Sequence, residues 1–249
     1  MYLRTLVAIG LAASFTCLGC TQKEKPYQPK PAYSGKKPSL PSVPTLPNKK
    51  KKDGDAYTVW GATHDLRSVV HERDFEGKPT TLVGWVIKTN YSTPCQDEFK
   101  PASGEDCIPT CAIHKTGKAT PPDCKAPVPT FWIADSKDEK DFKKNAIPVK
   151  GWASNFAQMF TLIEGLDKDE DAKLMDEFFG MDLPVPLPNV GGKVKVTGSY
   201  GFTYTKSTGG AASNPRTGIM TGEKFEWLEV PPLRAVLPGM KVKETENPK

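Results

Sequence analysis

The stretch Thr80-Thr-Leu-Val-Gly-Trp-Val-Ile-Lys-Thr-Asn90 constrains this chain more than any other. Val83, Trp85 and Ile87 fall on one side of an extended backbone and Leu82, Gly84 and Val86 on the other, so neither face is written for water. A strand of this kind must be covered on both sides, and the glycine at its midpoint lets it bend. That suits the long, curved first strand of a small barrel.

Four more strands follow from the same reading. Thr130-Phe-Trp-Ile-Ala-Asp135 is stopped by the charged run Ser136–Asp141, and Ile147-Pro-Val-Lys-Gly151 comes next. Lys193-Val-Lys-Val-Thr-Gly-Ser-Tyr200 alternates, valines and Tyr200 against lysines, as a strand with one wet face does. Lys224-Phe-Glu-Trp-Leu228 is the fifth. Between the third and fourth, Phe156, Met159, Phe160 and Ile163 recur at helical spacing, with Ser154 as the expected cap and Gly165 as the stop. A second helix is expected over Asp167–Phe179, acidic in its first turn and ended by Gly180. Leu183-Pro-Val-Pro-Leu-Pro188 has to be extended. Upstream, Tyr57–Gly61 reads as a short strand and His64–Glu72 as two turns of helix.

The amino terminus has a different character. Arg4 precedes the apolar run Thr5–Phe15, which is too short to span a bilayer and ends in Cys17-Leu-Gly-Cys20. That order is a secretory signal. Its last four residues resemble the lipobox of bacterial lipoproteins, with Cys17 standing where the family usually has leucine. The resemblance implies cleavage after residue 19 and acylation of Cys20, and with Thr21 rather than aspartate next, an outer-membrane rather than inner-membrane destination. Residues 20–56 are rich in proline and lysine and cannot bury a core, so they are expected to form a disordered, extended tether. The folded domain is then expected over 57–232, with a charged tail at 233–249.

Charge argues against one function class. The chain carries a formal +5. Between Thr21 and Ala56, however, nine lysines face three acids, and Arg4 adds one more cation. From Tyr57 onward 24 basic residues face 26 acidic ones, a net of −2. Backbone neutralisation of nucleic acid needs clustered Lys and Arg, so single-stranded nucleic-acid binding is the weakest of the readings.

Cys95, Cys107, Cys111 and Cys124 all lie in the loop between the first two strands. In an exported protein an even set reads as disulfides. The pairing Cys95–Cys107 with Cys111–Cys124 gives two rings of workable length, whereas the nested alternative needs a tight Cys107–Cys111 bridge. The rival reading is redox or metal handling, with zinc or copper on Cys107, Cys111, His114 and Cys124 (or Cys95 as the fourth ligand), although the spacing matches no standard finger. His64 and His71, with Glu72 adjacent, would share a helix face and form a second titratable cluster. No nucleophile, base and orienting group assemble into a catalytic pattern, and no phosphate-cradling loop occurs. Neither an enzyme nor a resident cofactor is expected.

Three strands, a helical insertion and two strands is the element order of the OB-fold, a five-stranded Greek-key barrel with a helix between strands three and four, and the chain resembles it over about residues 77–230. In that fold, binding falls across strands two and three and between the loops joining strands one to two and four to five. Both loops are long here, at 91–127 and 201–217, and long loops are often functional. The resemblance places Trp132 beside Lys150 on the binding face, with Tyr204 and Arg216 on the facing loop, a set suited to a glycan, a peptide or a stacked base. The expectation is therefore a lipid-anchored envelope protein whose β-domain contacts a periplasmic or surface partner.

Overall fold

A computed structural model describes residues 26–28, 49–101, 106–168, 175–206 and 211–241. The chain divides into two units, Met1–Leu46 and Pro47–Lys249. Of the first, Pro26, Tyr27 and Gln28 are described, all exposed. The signal segment, Cys20, most of the tether and the end of the tail lie outside the described residues. No described helix is long and apolar enough to cross a membrane.

The second unit is mainly β. In chain order it contains β1 (Lys52–Asp53), β2 (Ala56–Thr58), α1 (Val59–Leu66), β3 (Thr80–Thr89), β4 (Phe131–Ala134), α2 (Phe142–Asn145), β5 (Ile147–Lys150) and α3 (Phe156–Lys168). Then come β6 (Met175–Asp176), β7 (Met181–Asp182), β8 (Lys193–Gly201), β9 (Thr203–Tyr204), β10 (Ala212–Ser213) and β11 (Ile219–Glu229). Seven strands form one mixed sheet with β3 as its hub. One edge of β3 pairs antiparallel with β8 from Thr80 to Trp85. The other takes β2 in parallel at Leu82 and Val83, then β4 antiparallel from Trp85 to Thr89. β4 pairs with β5, β5 runs parallel to β11 at Val149 and Lys150, and β11 lies antiparallel to β8 along its length. The pairings thus pass through β3, β4, β5, β11 and β8 and return to β3.

These strands share one core. Leu82 and Val86 of β3, Phe131 and Ile133 of β4, Val149 of β5, Val194 and Val196 of β8 and Met220 of β11 are all buried in one cluster with Tyr91 and Trp152. Burying each such side chain contributes about 1.5–3 kcal/mol relative to exposure. The alternation read from Thr80–Asn90 is realised asymmetrically: Leu82, Gly84 and Val86 are buried, whereas on the other face Val83 is buried and Trp85 and Ile87 are half-covered. Gly84 lets β4 approach closely, since a Cβ there would lie 3.0 Å from both Ala134 O and Ile133 Cβ. α3 lays Phe156, Met159, Leu162, Ile163 and Leu166 on the core. Its cap is Asn155 rather than Ser154, with Asn155 Oδ1 accepting the N–H of Gln158 at 2.8 Å, and the helix runs through Gly165 to Lys168.

Three further local expectations are corrected. The helix expected over Asp167–Phe179 is absent at its carboxyl-terminal end, where β6 and β7 pair as a short hairpin. The cause is Asp176, fully buried, whose carboxylate accepts backbone N–H groups from Ser154, Phe178 and Phe179 at 2.8, 3.0 and 2.9 Å. The helix expected over His64–Glu72 lies earlier, at Val59–Leu66, and a separate 3-10 turn spans Glu72–Asp74. Lys52 and Asp53, within the stretch expected to be tether, pair with Tyr57 and Ala56 and extend the sheet. Gly61 permits this, because a Cβ on it would overlap Lys51 O at 2.1 Å.

Candidate binding grooves

The loop between β3 and β4 is cross-linked by Cys95–Cys107 and Cys111–Cys124, with sequence separations of 12 and 13 residues. Backbone bonds follow the links: Cys95 and Ile108 are joined by Cys95 N–H to Ile108 O at 2.9 Å, and Lys125 N–H reaches Phe99 O at 2.7 Å. The loop docks on α3 through Lys115–Glu164 at 2.7 Å and through Thr116, whose N–H donates to Thr161 Oγ1 at 3.0 Å. The pairing expected from ring length is the one observed. The four-ligand metal set is therefore not assembled, since Cys107, Cys111 and Cys124 are bonded to sulfur. His114 is buried, with Nε2 hydrogen-bonded to Thr120 Oγ1 at 3.0 Å and Nδ1 to Lys115 O at 2.9 Å.

Where this loop faces the connection between β8 and β11, two depressions adjoin. The larger, about 970 Å³, runs from His114, Lys118 and Lys125 of the cysteine loop to the first turn of α3, Tyr204 and Ala212. The smaller, about 380 Å³, is walled by Trp132, Phe142, Pro148, Asn214 and Ile219. Lys150 and Ala212 line both, so they form the ridge between them.

Register explains how Trp132 and Lys150 come together. Trp132 alternates away from Phe131 and Ile133 and sits opposite Pro148, two residues before Lys150. It is 8% exposed and packs edge-on against Phe142, with ring centroids 5.3 Å apart. Lys88 Nζ lies 4.5 Å above the same Phe142 ring. Lys150 is buried, its Nζ 5.9 Å from the Tyr204 ring, and the Tyr204 hydroxyl donates to Lys206 O at 2.6 Å. β9 and β10 pair as a hairpin, Tyr204 opposite Ala212, which brings both residues to the groove.

Three of the four expected binding-face residues are gathered here. Arg216 is not. The Asn214 side chain accepts the N–H groups of Arg216 and Thr217, both at 3.1 Å, and turns the chain so that Arg216 lines a separate depression with Arg67 and Lys144. The histidine pair is not assembled either, because α1 ends at Leu66 before His71. His64 Nδ1 lies 2.9 Å from Asp65 Oδ1, and His71 Nδ1 lies 3.6 Å from Asp74. Phe142, Lys118 and Lys125 escaped the sequence reading. Phe142 sits at the end of a charged run that reads as solvated turn, and the lysines carry no periodic signal.

Comparison with family models, curated proteins and solved structures finds no match to this chain.

Proposed function

We propose that this protein is a non-enzymatic lipoprotein of a bacterial cell envelope, whose acylated Cys20 and tether hold out an OB-like barrel that binds a periplasmic or surface partner. The observation that carries this reading is the convergence of the two long connections on one groove around Lys150, between the cysteine loop and the β9–β10 hairpin. An OB-like barrel is supported by the ring of pairings through β3, β4, β5, β11 and β8, by the parallel match of β5 with β11, and by α3 between β5 and β8. That is the order and position at which such barrels bind oligosaccharides and oligonucleotides. The lipobox-like Cys17–Cys20 stretch supports the anchor, and Thr21 supports the outer membrane.

Aromatic faces beside cations suit an envelope glycan or peptide. Nucleic acid fits less well, given the net −2 of the chain from Tyr57 onward. The paired cysteines leave redox or metal handling without free thiolates in this state.

The test has two arms. Growth of an expressing bacterium with an alkyne palmitate analogue should label the full chain and leave Cys20→Ser unlabelled, and recovery of unlabelled protein in the cytosol would reject the anchor. The full chain in detergent should co-sediment with purified cell-wall sacculi, and Lys118→Glu with Lys125→Glu should weaken this by roughly tenfold. Undiminished sedimentation of that double variant would move binding away from this groove.

A further inference from the structure

On the far side of α2 from this groove lies a second cavity, of about 730 Å³, bounded by α1, β3 and the segment after β4. This is within the range of small-ligand sites. Two half-buried tryptophans, Trp60 and Trp85, form its aromatic walls. His64 stacks on Trp60 at 5.2 Å, and Lys193 Nζ stands 5.8 Å from the Trp85 ring. Five cations line it, Lys49, Lys50, Arg67, Lys144 and Lys193, and the neighbouring depression continues from Arg67 and Lys144 to Arg216.

Three carboxylates share the lining, Asp53, Asp135 and Glu139, and each is engaged by the fold. Asp53 pairs with Lys193 at 3.8 Å, the two oxygens of Asp135 accept the N–H groups of Val59 and Trp60, and Glu139 accepts the Asp141 N–H at 2.8 Å. A carboxylate has about four acceptor sites, so Asp135 keeps roughly half its capacity for donors from a ligand. Lys144 pairs with Asp141 at 3.1 Å, whereas Lys49, Lys50 and Arg67 have no ion-pair partner among the described residues.

This lining discriminates between anions. A phosphodiester backbone brings no donors for the remaining acceptor sites of these carboxylates. An acidic sugar brings such donors in its hydroxyls, while its acid groups meet the cations and the apolar faces of its rings lie on indole. We propose that the cavity between α1 and α2 is a binding site for an acidic oligosaccharide, held by Trp60, Trp85 and Arg67 with Lys144. The proposal rests neither on the lipid anchor nor on the groove at Lys150.

The test is a titration of the full chain in detergent with a galacturonic acid tetramer, read by tryptophan emission. A saturable shift is expected, reduced in amplitude in Trp60→Phe and weakened by roughly tenfold in Arg67→Glu with Lys144→Glu. Should that variant melt early, Lys49→Glu with Lys50→Glu repeats the measurement on exposed chain outside the core. Uncharged chitotetraose should give no saturable shift. The proposal is overturned by silence toward the galacturonate, by unchanged affinity in the charge-reversed variants, by an equal response to chitotetraose, or by equal or tighter binding of oligothymidylate.

Discussion

The carboxylate of Asp135, just past the end of β4, accepts the backbone N–H of Val59 through Oδ1 at 2.7 Å. Its other oxygen takes the N–H of Trp60 at 2.9 Å, while the Thr58 hydroxyl accepts from Gly61 at 3.0 Å. Three of the donors that an α-helix leaves unpaired at its start are thereby satisfied, two of them from 75 residues and more away in sequence. Asp135→Ala is expected to cost about 1 kcal/mol in urea unfolding, and Asp135→Asn less, since its amide oxygen still accepts. An unchanged midpoint in Asp135→Ala would remove this carboxylate from the account of how α1 is held.

The two cystines close rings of similar size, and in the loop-entropy treatment each stabilises by about 3 kcal/mol. Replacing Cys95 and Cys107 together by serine is expected to lower the melting temperature by about 6–12 °C. Calorimetry with and without reductant checks this, and the reduced wild type should fall further than the variant does without reductant.

Asp176 has no exposed surface and three backbone donors pointing at it. Asp176→Ala leaves those donors without a partner in the interior and is expected to cost about 3 kcal/mol. Phe178, on the same hairpin but 68% exposed, serves as the control: Phe178→Ala should stay within about 0.5 kcal/mol. Equal losses would mean the hairpin is held by its aromatic residues instead.

Asp65 supplies a pH dependence. Its burial opposes ionisation, but the hydrogen bonds from Lys51 Nζ, at 2.7 Å, and from His64 outweigh this and hold its pKa below the ordinary carboxylate value. The folded state therefore releases this proton more readily than the unfolded chain. The resulting stability is complete above about pH 4 and is lost as pH falls through the lower folded value. Lys51 is 43% exposed, so solvent screens the pair, and Lys51→Met is expected to cost at most about 1 kcal/mol at pH 7. That difference should shrink at pH 3, which urea titrations at the two pH values will show.

The parts of the fold legible in the sequence are those decided by nearby residues. The alternation in Lys193–Tyr200 and the apolar run of Thr80–Asn90 mark β3 and β8 almost to the residue, and of the three pairings open to the four cysteines, the one favoured on ring length is the one observed. The missed parts are decided across the chain. Met175–Phe179 carries helix-compatible residues, and the hairpin there exists because Asp176 reaches back to Ser154. α1 begins earlier than its composition suggests because Asp135 caps it from β4. β11 begins at Ile219, ahead of Lys224, because Met220 and Thr221 find partners on both β5 and β8, and the register shift between Gly222 and Lys224 interrupts the alternation that would have announced it. The groove was partly legible for the same reason: Trp132 and Lys150 follow from strand alternation, whereas the departure of Arg216 depends on the turn made by Asn214.

β3 has neighbours along both its margins, β8 on one and β2 followed by β4 on the other. Its central amides, Leu82 to Trp85, are therefore expected to be among the slowest in the molecule to exchange for deuterium. The same enclosure denies a second copy any place to zip onto it, leaving the two-residue, charged β1 as the outermost rung at that side.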